Sequence, residues 1–218
     1  KQNKINSILE IGCGDGRNTI NIAKKFKRVR IDAFDFSRSM IDLAKKNQKK
    51  YKNKNINFFV YDVLEINNLE KKYDIVVSKR CLINLVNFNK QLKVINNISN
   101  ILNRNGKFLM YENSSIGLKK INDLKNKIKL DPIVKPWHNK YFNDIKLEKS
   151  VKRLELIKKI HANSTYYFLS RIINALIAKK EKKFPDYNSD INKLALIMPN
   201  DLVNNFSQKI IWLWKNNK

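Results

Sequence analysis

Cysteine, histidine, glycine and proline are all scarce in this sequence, which has 218 residues but only two, two, five and four of them, respectively. Cys13 and Cys81 stand far apart and outside any paired spacing, so neither a disulfide framework nor a metal site is expected. No apolar stretch approaches the roughly 20 residues that a membrane helix needs. No secretory leader pattern opens the sequence either. We therefore expect a cytoplasmic protein without a membrane span.

Acidic residues are also scarce, since 45 Lys and Arg face 19 Asp and Glu and give a formal net charge of +26. Such a basic chain attracts phosphate backbones, so nucleic acid is a possible partner. However, the 45 cations comprise 37 Lys and 8 Arg, and they accompany 32 Asn and 28 Ile, all residue types with A- and T-rich codons. Phosphate and guanine recognition usually favours arginine. Genome composition is therefore the simpler explanation of the charge.

The length suits one domain over residues 1–218, because cores of this size are usually undivided. Lys1 is not a methionine and the first motif begins within ten residues, so we expect a short N-terminal arm to have preceded it. A polar segment with two prolines and Trp137 lies between Asn113 and Ser150. It is too long for a bare connector, which predicts a lid near 114–150.

Short apolar runs alternate with amphipathic stretches through the chain. Strands are predicted at 7–11, 30–35, 56–61, 73–78, 107–112, 153–160 and 209–214. Helices are predicted at 18–26, 91–102 and 164–180, and a further helix is predicted to begin after Ser37 as its N-cap. This alternation is typical of an α/β fold with a parallel sheet.

The first predicted strand ends in a glycine turn, with Gly12, Gly14 and Gly16 at alternate positions around Cys13. Glycines between a strand and a helix let the backbone approach a ligand closely. A dinucleotide fingerprint would place its third glycine at position 17, where Arg17 stands, so NAD is disfavoured. Glu10 would repel a pyrophosphate but suits a cofactor end that carries an amino group and a sulfonium.

Carboxylates close the next two predicted strands. Asp35 follows Gly16 by 19 residues, where a carboxylate can accept hydrogen bonds from both hydroxyls of a ribose. Asp62 and Val63 end the third strand, where Asp62 could bind an adenine amine or merely cap a helix. Phe36 and Met40 would flank the adenine, although core packing also explains each of them.

These residues resemble the class I S-adenosylmethionine-dependent methyltransferases. Glu10 to Gly16 is similar to their first motif, Asp35 to Met40 to the second, Tyr61 to Val63 to the third, and Tyr73 to Ser78 to the fourth. The resemblance covers about the first 115 residues. It implies a Rossmann-like seven-stranded, mostly parallel sheet with helices on both faces and an antiparallel last strand. It also implies S-adenosyl-L-methionine as cofactor, with roles for Glu10, Gly12, Gly14, Asp35, Asp62 and the Ser78 turn.

Three further stretches, 78–85, 136–139 and 164–171, resemble a subgroup associated with sugar and polysaccharide biosynthesis. They favour a small-molecule or glycan acceptor, with a hydroxyl as the methylated group. An RNA or DNA methyltransferase and a non-catalytic protein that binds the cofactor are the alternatives.

A hydroxyl acceptor benefits from a general base. His138, in the predicted lid, is the first candidate because a neutral imidazole can take a proton near physiological pH. Glu112, at the end of the fifth strand, is the second, and His161 is the third.

Overall fold

The computed structural model describes residues 5–52 and 55–217, and it contains seven strands and eight α-helices within them. The strands are β1 (Ser7–Ile11), β2 (Arg30–Asp35), β3 (Ile56–Val60), β4 (Tyr73–Lys79), β5 (Leu102–Asn113), β6 (Glu155–Ala162) and β7 (Lys209–Lys215). The helices are α1 (Arg17–Lys25), α2 (Arg38–Tyr51), α3 (Phe88–Ile101), α4 (Ser115–Lys127), α5 (Asp144–Ser150), α6 (Ser164–Phe168), α7 (Asn174–Lys180) and α8 (Asp190–Ile197). No helix in these ranges is long and apolar enough to cross a membrane.

All seven strands form one sheet in the order β3-β2-β1-β4-β5-β7-β6. The first five pair in parallel, and β7 runs antiparallel to both β5 and β6. The predicted fold class is confirmed, including the antiparallel last strand. From β1 the sheet is extended on one side by β2 and β3 and on the other side by β4 and β5, so the strand order reverses between β1 and β4. Open α/β sheets bind ligands at such a point.

Local sequence explains how the first elements form. The run Ser7–Ile11 is buried along its whole length, as expected of a central strand covered on both faces. Ser37 caps α2 as predicted, since its Oγ accepts from the backbone N–H of Met40 at 3.4 Å. The helix predicted at 164–180 forms as α6, a π-helical turn (Leu169–Ile173) and α7 in succession.

Two stretches differ from the expectation. The fifth strand begins at Leu102, five residues earlier than predicted, because Leu102 already pairs with Tyr73 before the register shifts. The predicted lid is not a single loop, since it contains α4 and α5. Phe142 and Leu147 of this segment are fully buried in the main core. Much of 114–150 is therefore part of the packed domain.

Two of the apolar clusters among the described residues flank the sheet. One contains Trp212, Trp214 and Phe108 beneath α3 and α5, and the other holds α1 and α2 against β1 to β3. The face of β4, β5 and β7 on the α1 side is more open. Ile75, Val77 and Leu109 line a cavity of about 440 Å³ there. The carboxyl ends of β1, β2, β4 and β5 share one edge of the sheet, and the site lies at this edge.

Candidate active site

The glycine turn after β1 adopts a backbone that favours glycine. Gly12, Gly14 and Gly16 have φ angles of 67°, 54° and 75°, in the left-handed region. The N–H of Cys13 donates to the carbonyl of Phe34 at 2.9 Å, and that of Gly16 donates to the carbonyl of Cys13 at 3.1 Å. The turn is therefore tied both to β2 and to itself.

The three glycines face different surroundings. A Cβ on Gly12 would lie 2.4 Å from the Sγ of Cys81, and one on Gly16 would lie 2.7 Å from the ring of Phe58. A Cβ on Gly14 would meet no atom of the described residues within 4 Å. Gly12 and Gly16 thus serve close packing, whereas Gly14 faces open space at the sheet edge. A cradle of this shape fits an adenosyl cofactor.

Asp35 connects the glycine turn to the start of α2. Its Oδ2 accepts from the N–H of Gly14 at 2.9 Å, and its Oδ1 accepts from the N–H of Ser37 at 3.0 Å. Asp35 is half-buried, so its carboxylate remains reachable from the open side. The position fits the predicted contact with a ribose and also makes Asp35 a brace for the turn.

Glu10 lies beneath the turn, with 1% of its surface exposed. Its two oxygens accept from the Nδ2 of Asn18 at 2.7 Å and from the Oγ1 of Thr19 at 2.6 Å. Burial raises the pKa of Glu10, while these hydrogen bonds and the charge of Lys79 lower it. The sequence did not indicate this arrangement, in which Glu10 ties β1 to α1.

The residues predicted to surround the adenine lie at the ends of β2 and β3. Phe36 is 79% exposed and Met40 is 43% exposed, so both offer open apolar surface rather than core packing. Val63 is buried. The Oδ1 of Asp62 accepts from the N–H of Leu64 at 2.9 Å, so Asp62 does cap the 3-10 turn that follows β3.

Ser78 and Glu112 form a buried pair beside Cys81. Glu112 is 1% exposed, and its Oε1 accepts from the hydroxyl of Ser78 at 2.7 Å and from the N–H groups of Cys81 and Leu82 at 3.0 and 2.9 Å. Its Oε2 accepts from the N–H of Ile83 at 3.4 Å. In this arrangement Glu112 positions the loop after β4, and the Ser78 hydroxyl takes part in the same network. The role of Glu112 as the second candidate base stays a prediction.

Glu112 should make stability depend on pH. Burial raises its pKa from 4.5 to about 7, against the opposing effect of its hydrogen bonds. A raised pKa means that the folded state binds more protons, so the contribution is complete below pH 4.5 and is lost as the pH rises through 7. We expect the free energy of unfolding of the wild type, relative to Glu112→Gln, to fall by roughly 3 kcal/mol over this range. Denaturant titrations at several pH values measure it.

The exposed Glu70 provides the control for this experiment, because Glu70→Gln should leave the pH dependence as in the wild type. If Glu112→Gln and the wild type lose stability in parallel as the pH rises, Glu112 does not titrate as described.

The structure places the two histidines differently. His138 and the adjoining Trp137 are exposed, and their rings contact each other edge to face. Their segment lies against the loop after β4, since Asn139 donates to the Oδ1 of Asn84 at 2.8 Å and Lys140 donates to the carbonyl of Ile83 at 2.7 Å. His138 therefore sits at the rim of the site. His161 lies on β6, and its Nδ1 is buried without a hydrogen-bond partner.

Burial keeps both thiols of the site protonated. The pKa of Cys13 is raised by burial and by the charges of Glu10 and Asp35. Burial also raises the pKa of Cys81, as do the charges of Glu112 and Asp35. We therefore assign neither cysteine a nucleophilic role.

A glycine turn braced by a carboxylate lies at the carboxyl edge of a sheet with this strand order, which is the arrangement that the resemblance to class I methyltransferases implies. Residues 8–106 match the model of a family described as a methyltransferase domain. A malonyl-[acyl-carrier protein] O-methyltransferase from Ilyobacter polytropus is 30% identical over 187 residues. That alignment covers 85% of this chain and 65% of the relative, so the chain spans less than two thirds of the relative's length.

Solved structures show the same fold. An S-adenosylmethionine-dependent methyltransferase from Clostridium acetobutylicum has a TM-score of 0.65 at 16% identity, covering 99% of this chain and 85% of that one. The N-methyltransferase NodS from Bradyrhizobium japonicum, in complex with S-adenosyl-L-homocysteine, has a TM-score of 0.58 at 12% identity, covering 98% and 79%. These likenesses confirm the predicted fold, and the matching family model supports the predicted methyltransferase domain over residues 8–106. The finer resemblance to a sugar-related subgroup is not supported by the relative described above.

Proposed function

We propose that this protein transfers a methyl group from S-adenosylmethionine to an oxygen atom of a small-molecule or carrier-bound acceptor. The observation that carries the proposal is the position of Asp35, whose carboxylate braces Gly14 and Ser37 and remains half-exposed at the edge of the cradle. The match to a methyltransferase domain supports methyl transfer. The relative's designation as an O-methyltransferase supports oxygen as the acceptor atom.

Different residues of the cradle bind different parts of the cofactor. We assign binding of the ribose to Asp35. The backbone of the glycine turn, which includes Cys13, makes the close contact with the cofactor. Phe36 and Met40 provide the apolar surface for the adenine, with Val63 behind it and Asp62 near its amine. Glu10 supplies negative charge beneath the methionine end. When bound, S-adenosylmethionine supplies an electrophilic methyl group on a sulfonium.

Alignment of the acceptor is the main task that remains for the protein. Effective molarities of about 10⁵–10⁸ M from alignment exceed the roughly 10²–10⁴-fold contribution of a general base. For a hydroxyl acceptor, the base that we propose is His138, because its segment is held against Ile83 and Asn84 at the rim.

The assignment of His138 predicts that His138→Ala lowers turnover of a hydroxyl acceptor by roughly 10²–10⁴-fold. The affinity for S-adenosylhomocysteine should stay within twofold of wild type, because His138 is not part of the cradle. Initial rates and calorimetry on the same preparations measure both. Equal rates for the two proteins would remove His138 as base.

The function is tested by titrating the protein with S-adenosylhomocysteine in a calorimeter and by supplying methyl-labelled S-adenosylmethionine with a panel of acceptors. The panel contains carboxylated thioesters, nucleotide sugars, glycans and RNA. We expect binding and transfer of label to an oxygen-bearing small molecule. Label in RNA alone would favour the nucleic-acid alternative, and binding without transfer to any acceptor would favour a non-catalytic protein.

A further inference from the structure

A basic pocket lies at the amino ends of β2 and β3, at the edge of the sheet opposite to the cofactor cradle. It is a cavity of about 420 Å³, and its lining includes four cations, Lys27, Arg28, Arg30 and Lys71. Arg30 is the first residue of β2 and Asp35 is the last. Since a strand rises about 3.3 Å per residue, roughly 17 Å separates Arg30 from Asp35. This amino-edge pocket is therefore distinct from the cradle.

A buried carboxylate gathers two of these cations. Asp32 is 2% exposed, and its Oδ2 lies 3.7 Å from the Nε of Arg30 and 3.6 Å from the Nζ of Lys71. The two nitrogens are therefore within about 7 Å of each other, where like charges repel. The hydroxyl of Tyr73 donates to the same oxygen at 2.9 Å, and the Nδ2 of Asn57 donates to Oδ1 at 3.2 Å. Asp32 is thus held in place and keeps both cations beside the cavity.

The positive charge of the amino-edge pocket exceeds what Asp32 can neutralise. Among the described residues that line the pocket, Asp32 is the one carboxylate, and Arg30 and Lys71 share its single charge. Lys27 and Arg28 form no ion pair with any residue of 5–52 or 55–217. Cations gathered around a concave surface attract an anion, and an anion between them relieves their repulsion. The pocket therefore favours a negatively charged ligand.

An aromatic wall continues from the amino-edge pocket along β3. A second cavity, of about 310 Å³, shares Asp32, Asn57 and Lys71 with the pocket and is also lined by Phe59 and Tyr61. The rings of Phe59 and Tyr61 are half-buried, and their centroids lie 6.0 Å apart. Half-buried aromatic rings offer a surface on which a flat base can stack. A basic cavity and an aromatic cavity therefore adjoin each other.

We propose that these two adjoining cavities bind a nucleoside phosphate. Its phosphate lies between Arg30 and Lys71, and its base lies along Phe59 and Tyr61. A guanidinium suits this task because it can donate two parallel hydrogen bonds to phosphate oxygens. The two cavities match the two chemically different parts of such a ligand. This site is separate from methyl transfer, so the inference does not depend on the proposed function.

The first test compares Lys71→Gln with Lys72→Gln, which removes the same charge from an exposed neighbour that lines neither cavity. The probe is guanosine diphosphate, titrated in a calorimeter with S-adenosylhomocysteine in excess to occupy the cradle. Because Lys71 is exposed and its bond to phosphate is partly screened, we expect Lys71→Gln to weaken binding about tenfold. Lys72→Gln should bind as the wild type does. Equal weakening in both variants would mean that the overall charge of the chain attracts the probe, and it would overturn the proposal.

Fragments of the probe test the two cavities separately. Pyrophosphate lacks the base, so it should bind the wild type roughly tenfold more weakly than guanosine diphosphate. Lys71→Gln should weaken the binding of pyrophosphate but leave that of guanosine unchanged. Circular dichroism of each variant verifies that the fold is retained. If pyrophosphate binds as tightly as guanosine diphosphate, the aromatic cavity holds no base and the proposal fails.

A measurement on the wild type alone avoids substitutions. Acetic anhydride modifies exposed lysines, and mass spectrometry measures the rate at each position. Guanosine diphosphate should slow the modification of Lys71 while Lys72 reacts at its original rate. A single-stranded RNA of ten nucleotides serves as the second probe. Protection of Lys71 by the RNA but not by guanosine diphosphate would overturn the proposal in favour of a nucleic-acid surface.

Discussion

Replacing Asp35 with alanine should weaken the binding of S-adenosylhomocysteine by roughly ten- to hundredfold, since a charge-assisted hydrogen bond contributes about 1.5–3 kcal/mol. Two effects add to this loss. The proposed contact with the ribose disappears, and the N–H of Gly14 loses the acceptor that holds the turn in place. The dissociation constant from calorimetry measures the combined effect.

Two further variants test how the Asp35 carboxylate contributes to binding. Asp35→Asn keeps an oxygen that can accept from one of the two N–H groups while it removes the charge, so its affinity should fall between those of wild type and Asp35→Ala. Asp42→Ala removes an exposed carboxylate from the outer side of α2 and should bind as the wild type does. An unchanged dissociation constant for Asp35→Ala would refute the ribose assignment.

The parts of this site that the sequence predicted are those built from neighbours along the chain. The glycine turn, the cap by Ser37 and the carboxylate at Asp35 all follow from short patterns next to a strand end. The helix cap at Asp62 was one of two alternatives, and its hydrogen bond to Leu64 arises two residues away. Such features depend on local backbone geometry, which residue type largely dictates.

The parts that the sequence did not predict depend on contacts between distant segments. Glu112 was a candidate base because it ends a strand, but its partners come from residues 78–83, about 30 positions earlier. β7 comes from the far end of the chain, yet it inserts between β5 and β6. Similarly, the segment 114–150 joins the main core through Phe142 and Leu147, which are fully buried there. Strand order and packing decide these contacts, and no pattern within one segment encodes them.

The tight packing between the glycine turn and the loop after β4 predicts a large effect at Gly12. Gly12→Ala should lower the free energy of unfolding by roughly 2–5 kcal/mol, because a left-handed φ strains alanine and the new Cβ would overlap Cys81. Its distances of 2.4 Å to the Sγ and 2.5 Å to the Cβ of Cys81 require the loop after β4 to move. That movement would disturb the anchor at Glu112, so binding of S-adenosylhomocysteine should fall too.

Gly14→Ala provides the matched control, because its φ of 54° imposes a similar strain while its Cβ meets no described atom within 4 Å. We expect Gly14→Ala to cost only about 1–2 kcal/mol of stability, the strain alone, while its Cβ would enter the open space of the proposed cofactor cradle and should weaken binding. Cys81→Gly removes both atoms that the Cβ of Gly12→Ala would meet, so the double variant should recover part of the lost stability. Equal losses in Gly12→Ala and Gly14→Ala, with no recovery, would mean that strain rather than contact with Cys81 makes glycine necessary at position 12.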